Sequence, residues 1–296
     1  MKIKNIKYLF FVLGFLLSKV SISQYDKMLR VQECLKVKDV RGAKSAIDSV
    51  FLAKEAQTDP QAWYFRAFVH YELSKKDKFA LVSADRDSSV SYAKKALSLK
   101  PDADQKQSCL EILKRHSATY FSICKTQLQD SLNYEKSQAA YLMYKKLYAQ
   151  VDTAFNFKTK DIEYYSAAGS IFTDLFTNNI TKNDYGEVGK VTLMKVLDLD
   201  PKNISASVNL GIIYYNQGVN LINSMDIDTP LDKLEIIQDN SAKLFKQSLP
   251  FMNKVYELDP KNLKALESLR QIYHALNDTE KANEFNSKLE QAKQGK

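Results

Sequence analysis

The sequence is short of the residues that punctuate β structure. Eight glycines and six prolines stand among 296 positions, too few for a sandwich or barrel that needs turn residues at every hairpin, whereas long helices need neither. Histidine is scarce too. His70, His116 and His274 lie far apart, none forms an H-E-x-x-H pair, and none stands beside a cysteine at zinc spacing, so no metal site is expected. Gly-rich phosphate loops and a Gly-x-Ser-x-Gly elbow are absent, so no catalytic residue and no cofactor is expected, and the chain does not read as an enzyme. Three cysteines cannot all pair. Cys109 and Cys124 fall on what reads as one helix, about 22 Å apart at 1.5 Å per residue, far beyond the roughly 4.4 to 6.8 Å that a disulfide spans. They read as small buried apolar side chains, with a bridge from Cys34 to either as the alternative. Asp85-Arg86-Asp87-Ser88-Ser89 opens like a calcium loop, but Val90 stands where glycine is needed and Ala96 where a bidentate glutamate is needed. The stretch from Lys75 to Ser89 therefore reads as a solvated loop or a frayed helix start.

What is present is a chain 45% apolar and 26% charged, enough to bury a core and incompatible with wholesale disorder. Its one long apolar run, Tyr8 to Leu17, follows Lys2, Lys4 and Lys7 and precedes the small residues of Ser21-Ile22-Ser23. That order reads as a signal peptide over residues 1–23, cleaved after Ser23, with an uncleaved anchor as the alternative. The run is shorter than the roughly 20 apolar residues of a membrane span, so no transmembrane segment is expected after cleavage. Residues 1–23 hold four lysines and no acid, which leaves 39 basic against 35 acidic side chains in the mature chain. With the two signs interleaved and no basic cluster, nucleic acid is not an expected partner.

Self-similarity organises the rest. Three apolar-periodic segments stop alike, at Lys100-Pro101-Asp102, Asp200-Pro201-Lys202-Asn203 and Asp259-Pro260-Lys261-Asn262, and a new amphipathic segment follows each. Proline cannot continue a helix, so such a boundary ends one element and starts another. The segments carry Trp63 and Ala67 before Ala96 and Pro101, Gly169 before Pro201, Leu210, Gly211 and Tyr214 before Pro260, and Leu269, Tyr273 and Ala282 in the last. This pattern resembles the tetratricopeptide repeat, a helix-turn-helix unit of 34 residues with small residues where its two helices touch and large ones between units. The resemblance implies an all-α superhelical array, an α-solenoid of about six hairpins filling residues 24–296, with pairs near 25–58, 60–100, 104–152, 160–200, 202–259 and 261–293. Pro60, Pro101, Pro201 and Pro260 are 41, 100 and 59 residues apart, so interior units carry insertions. In the fifth, both helices of one hairpin should be lengthened, with the tip at Ser224 to Pro230. The polar final helix should cap the array toward solvent.

The resemblance also implies binding rather than catalysis, through an inner face lined by the first helix of each pair. By the family's register that face includes Tyr64, Phe68 and Tyr71, then Ser205, Ile212 and Tyr215, then Lys264, Glu267 and Gln271. The aromatics of the second unit could equally pack on neighbouring helices. The leading reading is an exported, non-catalytic scaffold that binds a protein or peptide at the periphery of a bacterial envelope complex, in the periplasm or at the outer membrane. The alternative is a ligand-binding component of a nutrient-uptake or glycan-handling system.

Overall fold

A computed structural model describes residues 22–130 and 132–294. Residues 1–21 of the expected signal peptide lie outside the described residues. The described chain contains twelve α-helices and no strand. The helices gather into two compact units, a first that ends at Phe155 and a second that begins at Asn156, with three antiparallel hairpins in each.

The first unit pairs α1 (Ile22–Lys36) with α2 (Val40–Val50), α3 (Pro60–Ser74) with α4 (Ala84–Ser98), and α5 (Ala103–Gln129) with α6 (Tyr134–Val151). The second pairs α7 (Lys158–Asn178) with α8 (Asn183–Leu199), α9 (Ile204–Asn223) with α10 (Leu231–Leu258), and α11 (Leu263–Ala275) with α12 (Thr279–Gln294). The α9–α10 hairpin is the long one, and its helices are joined across residues 224–230, where the sequence places the tip.

The repeated boundary works through side-chain hydrogen bonds. The Asp200 carboxylate accepts from the Lys202 amide at 3.3 Å and from Asn203 Nδ2 at 3.1 Å, while Asn203 Oδ1 accepts the Ala206 amide and so caps α9. Asp259, Lys261, Asn262 and Ala265 repeat the arrangement before α11. The asparagine satisfies one of the first amides of the new helix, which otherwise lack partners. Pro201 and Pro260 lie in the turn between helices, whereas Pro60 is itself the first residue of α3, with Asp59 capping behind it.

Small residues set the close approach within hairpins. A Cβ added to Gly169 would lie 2.4 Å from Leu193, and one added to Gly211 would lie 2.5 Å from Met252 Cε and 2.9 Å from its Cγ. Ala67 and Ala96 are fully buried, as are Leu210 and Leu269, and Ala282 nearly so. Three hairpins add a polar device. Ser89 on α4, Ser137 on α6 and Ser248 on α10 are each fully buried and donate their hydroxyls back to the first helix, to Ala67 O at 2.7 Å, Cys124 O at 2.9 Å and Gly211 O at 2.7 Å. A hydroxyl bonded to a backbone carbonyl lets a small side chain occupy the crowded position with its polar atom satisfied.

The stretch expected as a solvated loop is anchored instead. Arg86 is 1% exposed. Its guanidinium reaches back to the carbonyls of Ala80 at 2.8 Å and Asp77 at 2.7 Å, and stands over the Tyr120 ring at 5.0 Å. Ser83 caps α4 and also donates to Asp77, so the backbone of residues 77–83 is held by donors from the helix that follows it. The last helix has two faces. Its outer face is polar, but Phe285 and Leu289 are buried against α11 and the neighbouring helices.

Candidate functional site

An open groove of about 570 Å³ lies in the second unit. Ile212, Tyr215 and Asn216 of α9 form one wall, Leu263, Lys264, Glu267 and Gln271 of α11 the other, and Leu289 and Lys293 of α12 close one end. Parallel packing of first helices places these residues together. Along α7 and α9, Asn209 donates to Ser170 and Asn216 to Thr177, one heptad on, so two polar rungs hold the helices side by side. Tyr215 is shared with an adjoining apolar hollow of about 270 Å³, which Val219, Ile222, Phe245 and Ala275 complete. Its ring lies 5.4 Å from that of Phe245, and burial pushes its hydroxyl pKa up.

The groove's carboxylate is already neutralised. Arg270 grips Glu267 through two bonds, of 2.6 and 3.1 Å, and Gln271 Nε2 donates to the same carboxylate at 2.6 Å. The Arg270 hydrogen bonds hold Glu267 below the usual carboxylate range. Lys264 is exposed and makes no ion pair among the described residues, while Lys293 pairs with Glu290 on its own helix and adds a smaller pull on Glu267 across the groove. An apolar floor, amide and hydroxyl groups on the walls and a cationic lip are suited to holding a segment of another chain.

Of the residues expected to bind a partner, Ile212, Tyr215 and Gln271 come together here. Ser205 is exposed on the first turn of α9 and does not line the groove. Tyr64, Phe68 and Tyr71 belong to the first unit, half-buried on the face of α3 turned toward α5. Their rings follow one another at 6.3 and 5.9 Å, and Tyr71 meets the His116 ring edge-on at 5.3 Å. Burial pushes the Tyr64 hydroxyl up to about 12, with Ser108 of α5 hydrogen-bonded to it.

Sequence reasoning missed the His116 network. His116 is 1% exposed and its Nε2 lies 2.8 Å from Ser89 Oγ, whose own proton goes to Ala67 O, so the histidine must be the donor and carries its proton on Nε2. Burial, with the Arg86 charge second, lowers its pKa to about 4. Only the helical spacing of His116 with Tyr120 hinted at burial. Among the described residues no group of three or more His, Cys, Asp or Glu side chains could hold a metal ion, and no helix is long and apolar enough to cross a membrane.

No protein-family model and no curated protein matches the sequence. Among solved structures the chain is similar to the MamA protein, at 15% identity over 77% of this chain and 92% of that one, with a TM-score of 0.34. It is similar to PilW, described as a widely conserved type IV pilus biogenesis factor, at 15% identity over 91% and 93% and a TM-score of 0.31. The P58(IPK) TPR domain matches at 11% identity over 92% and 98%, with a TM-score of 0.26. In architecture the chain resembles a tetratricopeptide array. Its own small-residue contacts carry that statement; likenesses at this level say nothing of activity or partner.

Proposed function

We propose that the chain is a non-catalytic scaffold that binds a segment of another protein in the groove between α9, α11 and α12. We propose further that it is exported and acts at the periphery of a bacterial envelope complex, on the strength of the basic, apolar and small-residue order of residues 1–23. The observation that carries the binding reading is the groove itself, where an apolar floor is edged by polar and charged side chains on three helices of one unit. Scaffolds of packed helix pairs offer such a surface as a preformed wall, so binding costs little reorganisation.

The test is affinity capture from solubilised envelope with the parent chain and with a Lys264→Glu, Gln271→Arg variant, followed by mass spectrometry. Both side chains lie at the groove surface, so helicity should be unchanged. A protein retained by the parent and lost from the variant supports the reading. Equal capture by both would move the binding surface elsewhere.

A further inference from the structure

The tip of the α9–α10 hairpin has no cover in its own copy. Ile227 is 99% exposed, Leu231 84% and Ile236 58%. Isolated apolar residues on a surface need no explanation, but one in the connecting turn and two in the first two turns of α10, exposed within ten positions, gain from being buried. The same stretch, residues 224–240, carries five acids against the single Lys233, on a chain whose residues 24–296 otherwise carry a basic excess, 39 basic against 35 acidic side chains in all. An apolar, acidic finger is therefore presented by the same unit that holds an apolar groove with Lys264 and Lys293 at its lip. The groove's carboxylate does not oppose such a guest, because Arg270 occupies it.

From this complementarity we infer that the second unit associates head to tail, the α9–α10 tip of one copy seating in the groove of a second copy. The inference rests on the reading that the groove receives a protein segment, and it names the chemistry of that segment as apolar flanked by acids. The finger does not serve its own groove, since Ile227 is fully exposed where it stands. The two surfaces differ, so the contact is heterologous: each oligomer keeps one free finger at one end and one free groove at the other, and association continues until a ring closes or chains form. A foreign partner with the same chemistry competes for the groove.

Light scattering or sedimentation of the mature chain across the micromolar range tests this. The mass should rise with concentration, and added salt should weaken the rise by screening the charged rim. A finger variant, Ile227→Asp with Leu231→Asp, and a groove variant, Lys264→Glu with Lys293→Glu, should each be monomeric. Mixed in equal amounts they should give a species of twice the monomer mass and nothing larger, because only one good finger and one good groove remain per pair. A parent that stays monomeric, a finger variant that associates like the parent, or a mixture that stays monomeric overturns the inference. The finger variant retains its groove, so envelope capture by that variant reports on the groove separately. Capture intact with a monomeric parent overturns self-association alone, whereas loss of both overturns the groove reading as well.

Discussion

Ser248 Oγ donates to the carbonyl of Gly211 at 2.7 Å, at the level where the absent Gly211 side chain leaves room for Met252. The pair fixes how close α9 and α10 lie, and Ser89 with Ala67 repeats it in the first unit. Gly211→Leu is accordingly expected to be among the most destabilising single changes, at roughly 1 to 3 kcal/mol or more, since Met252 must leave and the helices must part. Ser248→Ala should cost only about 1 kcal/mol, because the carbonyl keeps its helical partner. Ala67→Leu should behave like Gly211→Leu. Urea unfolding of the three variants measures the order, and a Gly211→Leu midpoint equal to that of the parent would remove the contact from any structural role.

Acid should weaken the first unit as pH falls below 6.5. His116 has a folded pKa of about 4 against an ordinary value of 6.5, so between those values the unfolded chain binds a proton that the folded chain refuses. Stability is therefore unaffected above pH 6.5 and falls as pH drops toward 4, by on the order of 3 kcal/mol in all. His70 is lowered too, chiefly by burial and against the pull of Asp85, so it adds in the same direction. His116→Gln, which can still donate to Ser89, should flatten the dependence of melting temperature on pH between 6.5 and 4. An unchanged slope would assign the acid sensitivity to other groups.

The boundaries of this fold were largely legible because they rest on local chemistry. Asp-Pro-Lys-Asn is a turn and a cap within four residues, and Ser224 to Pro230 interrupts a helical period that resumes beyond it. Arg86 was not legible. Its burial depends on carbonyls six and nine residues back and on a ring of α5, and nothing in the local pattern distinguishes an arginine that faces inward from one that is solvated. The groove was legible in part: the register grouped Ile212, Tyr215 and Gln271, but Leu289 and Lys293 enter from a helix read as a solvent-facing cap. The register also placed Tyr64, Phe68 and Tyr71 on one face without saying that α5 would cover half of it.

That half-cover has its own consequence. Phe68→Ala with Tyr71→Ala removes rings that pack on one another and on His116, and should cost several kcal/mol of stability. Circular dichroism melting decides between this and a purely surface role, in which the melting temperature would hardly move.

Thiol labelling should separate the cysteines. Burial pushes Cys109 up to about 12 and Cys124 up to about 11, so neither presents a thiolate at neutral pH. Cys34 is only half-buried. A maleimide mass shift in the folded protein should therefore be one adduct at Cys34, rising to three only in denaturant. Labelling of Cys109 in the native state would place that part of α5 in the open.

The same burial makes thiol survival a matter of timing. If the chain is exported as proposed, it would expose three thiols before folding that could pair wrongly within it or between copies. The α5–α6 hairpin ends that exposure for Cys124 when Ser137 closes over it, hydroxyl on carbonyl and 3.5 Å from the sulfur. Local helix pairing is fast and thiol oxidation slow, by orders of magnitude. The race is thus decided by topology, and a lesion that delays this one hairpin would appear first as crosslinked product, before any loss of equilibrium stability could be measured.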